Sequence, residues 1–314
     1  MKKTELYELL RKIAELANKA EQGGGQDDDD DGSVSFERFP VCTPKSLPPR
    51  LLEKSADVAV EVNPMNAPQM GPMAALGASF DLTPARIAVL TSKFWGSQPR
   101  QLSVSFMETT STQLRRRILQ HMNAWNQTSG ISFAETNGTG EVRISRGGGG
   151  YWSYLGTDVL LIPQNRQTMN LQGFTMNTPE SEYLRVVRHE TGHTLGCPHE
   201  HMRKDLVKRI DKNKAYAYFL RTQGWSQAMV DQQVLTPLDE KSLMRTPADQ
   251  TSIMCYQLPG EITKDGEPIL GGDDINSTDY RFMGEIYPKS DNAFGGSGAG
   301  FSAVDDDDWD FEFK

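Results

Sequence analysis

Four of the five histidines in this chain fall within one short stretch, RHETGHTLGCPHEHMR, at residues 188–203. Leu184, Val186, Val187 and Leu195 give the preceding residues an apolar face with no proline, so 180–195 is expected to be helical. Four residues advance a helix by about 400°, which puts the rings of His189 and His193 on one face, a turn apart. Gly196 can end that helix in a left-handed conformation, and Pro198 cannot continue it. The chain can then turn and bring His199 back as a third nitrogen. Three imidazoles and an open fourth position describe a catalytic zinc site, whereas a structural site fills all four. Glu190, beside the first of them, is placed to act as a general base on metal-activated water and to pass the proton to a leaving amine. His201 follows His199 too closely to share its metal and is expected beside the site or at the surface. His121 lies on a separate helix as a surface or core residue.

The pattern HETGHTLGCPHE (189–200) resembles that of the metzincin zinc endopeptidases, and of the astacin family in particular. Glu200 immediately after the third histidine is the astacin form. TSIMCYQLPG (251–260) looks like the family's methionine turn, with Met254 beneath the zinc. The resemblance implies one catalytic Zn2+ on His189, His193 and His199, a protein or peptide substrate, and supporting roles for Gly196 and Met254. It implies that Tyr256 swings between the metal and the oxyanion, where a phenol can donate a hydrogen bond. It also implies that Glu200 contacts a processed N-terminus. The likeness runs over roughly 86–288 and is strongest at 183–203 and 251–257. Tyr151 stands where astacins often have a cysteine, so the family's disulfides are absent, and Cys255 stands where a histidine is common.

The implied fold is α+β, a metzincin-like zincin. Its upper lobe (86–195) holds a twisted mixed β-sheet and two long helices, and a smaller, mostly helical lower lobe (196–288) follows. The residues agree: Leu102, Val104 and Phe106 alternate as in a strand, and Leu114, Ile118, Leu119, Met122 and Trp125 line a helix face. ISFAE (131–135), EVRIS (141–145) and TMNLQ (168–172) read as short strands. TMNLQ is expected at the sheet edge, where an extended substrate could pair. RGGGGYW (146–152) lacks the lysine and hydroxyl of a phosphate loop and reads as a mobile loop near the cleft. Helices are expected at 204–223, 226–234 and 274–286.

The flanks differ in texture. Residues 1–22 read as an amphipathic helix, 23–35 as a flexible acidic linker, 36–85 as an extended propeptide-like segment, and 289–314 as a disordered acidic tail. The acidic linker resembles half of a calcium loop, but Arg38 stands where that loop needs a glutamate. A net charge of −9 argues against nucleic acid as a partner. No stretch is apolar enough to span a membrane, and charges interrupt any conventional signal peptide, so the compartment stays open.

Cys42 precedes the zinc-site residues in a proline-flanked stretch. As a thiolate it could fill the open zinc position and hold an enzyme latent, as in the related matrixins, or be an ordinary free thiol. The leading expectation is a zinc-dependent endopeptidase. The alternatives are a catalytically silent zinc protein that binds peptides or a partner through the same cleft, and a structural protein whose metal ties two lobes together.

Overall fold

Hydrophobic periodicity places the first strand and helix where the sequence reading puts them. In β1 (Arg100–Phe106) Leu102 and Val104 point inward while Gln101 faces solvent. In α2 (Thr112–Met122) the buried positions are Leu114, Ile118, His121 and Met122, and Ser111 caps the start by accepting the Leu114 amide. The computed structural model describes residues 42, 45–67, 92–238 and 248–289. The expected helix at 1–22, the linker at 23–35 and all of the expected tail except Lys289 lie outside the described residues.

The sheet adds β2 (Ile131–Glu135), β3 (Val142–Ser145), β4 (Tyr151–Ser153) and β5 (Met169–Leu171), in the order β2-β1-β3-β5-β4. Only β4 runs antiparallel to its neighbour. The architecture is α+β with a mixed sheet. TMNLQ is therefore not the edge: β5 is sandwiched between β3 and β4, the edge on that side is YWS at 151–153, and β2 forms the opposite edge. The buried run of β5, with Met169, Asn170 and Leu171 all inside, is the mark of a strand covered on both sides.

The zinc-motif helix, α3, begins at Glu180–Glu182, passes through a π-helical turn at Tyr183–Val187 and continues as Arg188–Thr194. It ends in a full Schellman motif. The Gly196 amide donates to His193 O (2.8 Å) and the Cys197 amide to Gly192 O (3.0 Å), with Gly196 at φ +100°.

Beyond it, the helix expected over 204–223 is two: α4 (Lys204–Arg209) and α5 (Lys212–Gln223). Asp211 breaks it by capping α5, accepting the Asn213 and Lys214 amides, while Ile210 bridges to Thr263. Then come α6 (Gln227–Val230), which runs into a π turn, and α7 (Ser277–Ile286).

Two apolar clusters form the cores. The upper one unites the sheet, α2 and α3, and the lower one contains Leu206, Phe219, Val230, Val234, Leu258 and Ile269. The lobe boundary at 196–288 needs correction, because Ile253, Met254, Met283, Ile286 and Tyr287 belong to the upper cluster. The chain re-enters the upper lobe through the methionine turn and α7. Trp95, Trp125 and Tyr287 then tie down α3 by donating to the carbonyls of Thr194, Arg188 and Leu195.

The segment 36–85 is not simply extended. Leu52–Val62 forms a helix, α1, which buries the small face of Ser55, Ala56 and Ala59 against residues 156–161. Its VAVEV alternation imitates a strand, yet prolines 48, 49 and 64 leave room for three helical turns and small residues permit close packing. Ser55 donates to Asp158 at 2.6 Å. Asn66, fully buried, pairs through its side chain with both the amide and the carbonyl of Phe94. The expected mobile glycine loop is also pinned: Gln172 accepts the Gly149 and Gly150 amides, and Asn170 donates to the Gly147 and Gly150 carbonyls.

Candidate metal centre

Helical spacing brings His189 and His193 to one face, and the Gly196 turn returns His199 to meet them. Nε2 of His199 lies 3.1 Å from Nε2 of His189 and 3.0 Å from Nε2 of His193. Nitrogens about 2.0–2.1 Å from a tetrahedral zinc would stand roughly 3.3 Å apart, so the spacing is close to that of one shared ion. Nδ1 of His189 faces Ile253 O at 2.6 Å, and Nδ1 of His193 faces Cys197 O at 2.7 Å. Each Nδ1 therefore carries the proton, and each Nε2 turns a lone pair to the common point. Bare lone pairs at such a distance repel, and a cation between them removes the conflict. Burial lowers His189 to about 4 and pushes His193 and His199 well down, which keeps all three neutral as ligands require.

The fourth direction is filled from within the chain. Cys42 Sγ lies 3.5 Å from His193 Nε2, and its sulfur and the three histidine nitrogens all lie within 4.8 Å of one another. A thiolate at about 2.3 Å from zinc would stand roughly 3.5 Å from a neighbouring nitrogen ligand, which is the separation of this sulfur from His193. Burial and then the neighbouring Glu190 push the metal-free thiol well up.

Glu190 is fully enclosed. Neither of its carboxylate oxygens has an ordinary hydrogen-bond partner among the described residues, and burial raises it to about 8. The hydroxyl of Tyr256 is likewise buried with no ordinary hydrogen-bond partner among the described residues, and the Cys42 thiol lies beside both groups. Two polar groups facing a knot of imidazoles with only a thiol beside them suit a site built for a metal and a polar reactant. The Tyr256 ring stacks on His201 (centroids 4.1 Å apart, 12° between planes), so His201 stands beside the histidine cluster, with Nε2 on Gln233 O at 2.9 Å. Glu200 accepts the Asp249 amide at 3.1 Å, and burial raises it to about 7.

Some supporting residues escaped the sequence reading. Gly192 leaves no space for a side chain, since a Cβ there would sit 2.3 Å from Met254 Sδ. Asp279 accepts from Ser252 Oγ (2.6 Å) and from the Ile253 amide (3.0 Å), fixing the turn whose carbonyl orients His189. Its capping box with Asn276 was legible as N-x-x-D before an apolar helix, although its grip on the turn was not.

Known proteins agree with this geometry. Residues 89–268 match the family model described as Astacin, a peptidase family. The solved structure of myroilysin is 30% identical, with a TM-score of 0.59, and the match covers 63% of this chain and 96% of that one. Zinc metalloproteinase nas-38 of Caenorhabditis elegans is 28% identical over 36% of this chain and 14% of its own length. Zinc metalloproteinase nas-27 of the same organism is 28% identical over 32% of this chain and 22% of its own. The chain thus spans a minor part of these two relatives. With its family model covering more than half of the sequence and its histidines disposed for one zinc ion, this chain belongs to the astacin family of zinc peptidases.

Proposed function

We propose that the chain is a zinc-dependent endopeptidase held latent by its own Cys42. His189, His193 and His199 would hold the zinc. When bound, that ion supplies Lewis acidity at its fourth position, acidifying water and polarising a carbonyl. Glu190 takes the proton of the attacking water and delivers it to the departing amine. Once Cys42 withdraws, its oxygens have no other ordinary partner among the described residues and offer lone pairs for that transfer. Tyr256 donates its hydroxyl hydrogen to the charge that develops on the carbonyl oxygen. An extended substrate would pair with the free edge of β4. Cys42 competes for the same position, so residues 42 onward must withdraw before substrate enters.

The observation that carries this reading is one buried cluster, the Cys42 thiol and the ring nitrogens of His189, His193 and His199 within 4.8 Å of one another, with the Glu190 carboxylate beside that thiol. The test compares full-length wild type, Cys42→Ala and Cys42→Ala/Glu190→Gln, each loaded with zinc, on a denatured general protein substrate. Wild type is expected to be nearly inert and Cys42→Ala active. The double variant should lose about 10²–10⁴-fold of that activity while retaining zinc. Equal turnover by Cys42→Ala and the double variant would remove Glu190 from the mechanism. No turnover by any form would favour a silent peptide-binding protein.

A further inference from the structure

Three positions past Cys42, the ammonium of Lys45 sits over the indole ring of Trp152, 5.1 Å from its centroid. Trp152 is the central residue of β4, an edge strand of the sheet, and only 6% exposed. The ring is braced. Tyr154 meets it edge-on with centroids 5.8 Å apart, and the chain leading into β4 is fixed by Gln172 and Asn170. A cation over an aromatic face is attracted by the ring quadrupole, most strongly over tryptophan. The guanidinium of Arg185, which acts on the adjoining Tyr151 and on Cys42, is itself bound by Glu182 through two bonds, at 3.1 and 2.8 Å.

The segment that blocks the centre thus places a thiol at the reaction point and a cation on the cleft wall. Three residues of chain span at most about 10 Å. A substrate lying along β4 with its scissile carbonyl at the centre presents a side chain within that same reach. We propose that the face of Trp152 is a specificity subsite for a lysine or arginine side chain of the substrate, occupied in the latent chain by Lys45. This rests on the reading of the cleft as a peptidase site.

The experiment uses the full-length Cys42→Ala/Lys45→Met chain, so that neither the thiol nor the tethered lysine competes. Fluorogenic peptides differing only in lysine or norleucine at each position around the scissile bond are compared by kcat/KM. One position is expected to favour lysine by about 3- to 30-fold, the range of a cation–π contact from exposed to desolvated. That preference should shrink in Trp152→Phe and vanish in Trp152→Leu. Absence of a lysine preference at every position, or its survival in Trp152→Leu, overturns the subsite and leaves the peptidase reading intact. If no peptide is cut, the same pairs are bound to the Glu190→Gln form of this chain and followed by fluorescence anisotropy. A lysine preference lost in Trp152→Leu then upholds the subsite without turnover, and equal binding sinks it.

Discussion

Nδ1 of His189 donates to the carbonyl of Ile253 at 2.6 Å, across 64 residues of sequence. That carbonyl is itself held, because Asp279 takes the Ile253 amide and the Ser252 hydroxyl. A carboxylate on α7 therefore sets the angle of an imidazole on α3 through one turn of backbone. Removing it in Asp279→Ala leaves a buried amide unpaired, a cost of about 1–3 kcal/mol. It also frees the His189 ring, and loss of an orienting partner commonly costs about 10–100-fold in metal affinity. Chelator competition for zinc and denaturant unfolding should both move. Unchanged zinc affinity in a destabilised protein would reduce Asp279 to a helix cap.

Gly192 and Met254 form a second constraint. A Cβ at 192 would press on Met254 Sδ at 2.3 Å and approach the Trp125 ring at 3.3 Å. Overpacking of this kind typically costs about 1–3 kcal/mol. Gly192→Ala is expected to lower the unfolding free energy by that amount, read from the denaturation midpoint. Adding Met254→Ala should return part of the loss, because the sulfur no longer competes for the space. The double-mutant cycle is the measurement, and strictly additive effects would show that the two sites are uncoupled.

The histidine cluster was legible because its geometry is local: helical spacing, a glycine stop and a short return. The same holds for β1, α2 and the methionine turn, each of which carries its signal in consecutive residues. What could not be read arises from tertiary contact. Nothing in TMNLQ tells whether β4 covers its outer side, so the sheet edge was misplaced. The break at Asp211 offered only one capping residue inside a good helical pattern. The helix at 52–62 carries its buried face on Ser55, Ala56 and Ala59, which a hydrophobic pattern cannot show. Cys42 was readable as a candidate, but its arrival beside His193 depends on how a long N-terminal segment packs.

That packing makes the Ser55–Asp158 bond a test of how the stopper leaves. Ser55 Oγ donates to Asp158 at 2.6 Å, and Lys93 stands 3.9 Å away as the carboxylate's second support. Burial raises Asp158, so losing the serine deepens an existing strain. If α1 must detach before Cys42 does, Ser55→Ala should speed alkylation of Cys42 about fivefold or more, as one net hydrogen bond is worth about 1 kcal/mol. The rate of carboxamidomethylation of Cys42, followed by mass spectrometry, decides the matter. A rate equal to wild type would mean that the thiol withdraws alone while α1 stays in place.

His121 links stability to acidity at a distance from the metal centre. It is buried against Tyr183 in the π turn of α3 and lies 3.2 Å from Glu180. Burial lowers it in the fold. Arg117 and Arg188 push in the same direction, while Glu180 and Asp274 oppose. In the unfolded chain it titrates near its ordinary value of about 6.5. As pH falls below that value the unfolded state takes up a proton that the folded state resists, so this part of the stability is present at neutral pH and lost on acidification. His121→Gln, which cannot titrate, should lose less stability than wild type between about pH 7.5 and 5.5, the window that brackets the unfolded value. Buried histidines elsewhere contribute equally to both proteins and cancel in the difference. Parallel losses, measured as urea midpoints at the two pH values, would show that Glu180 holds His121 near its unfolded affinity for protons.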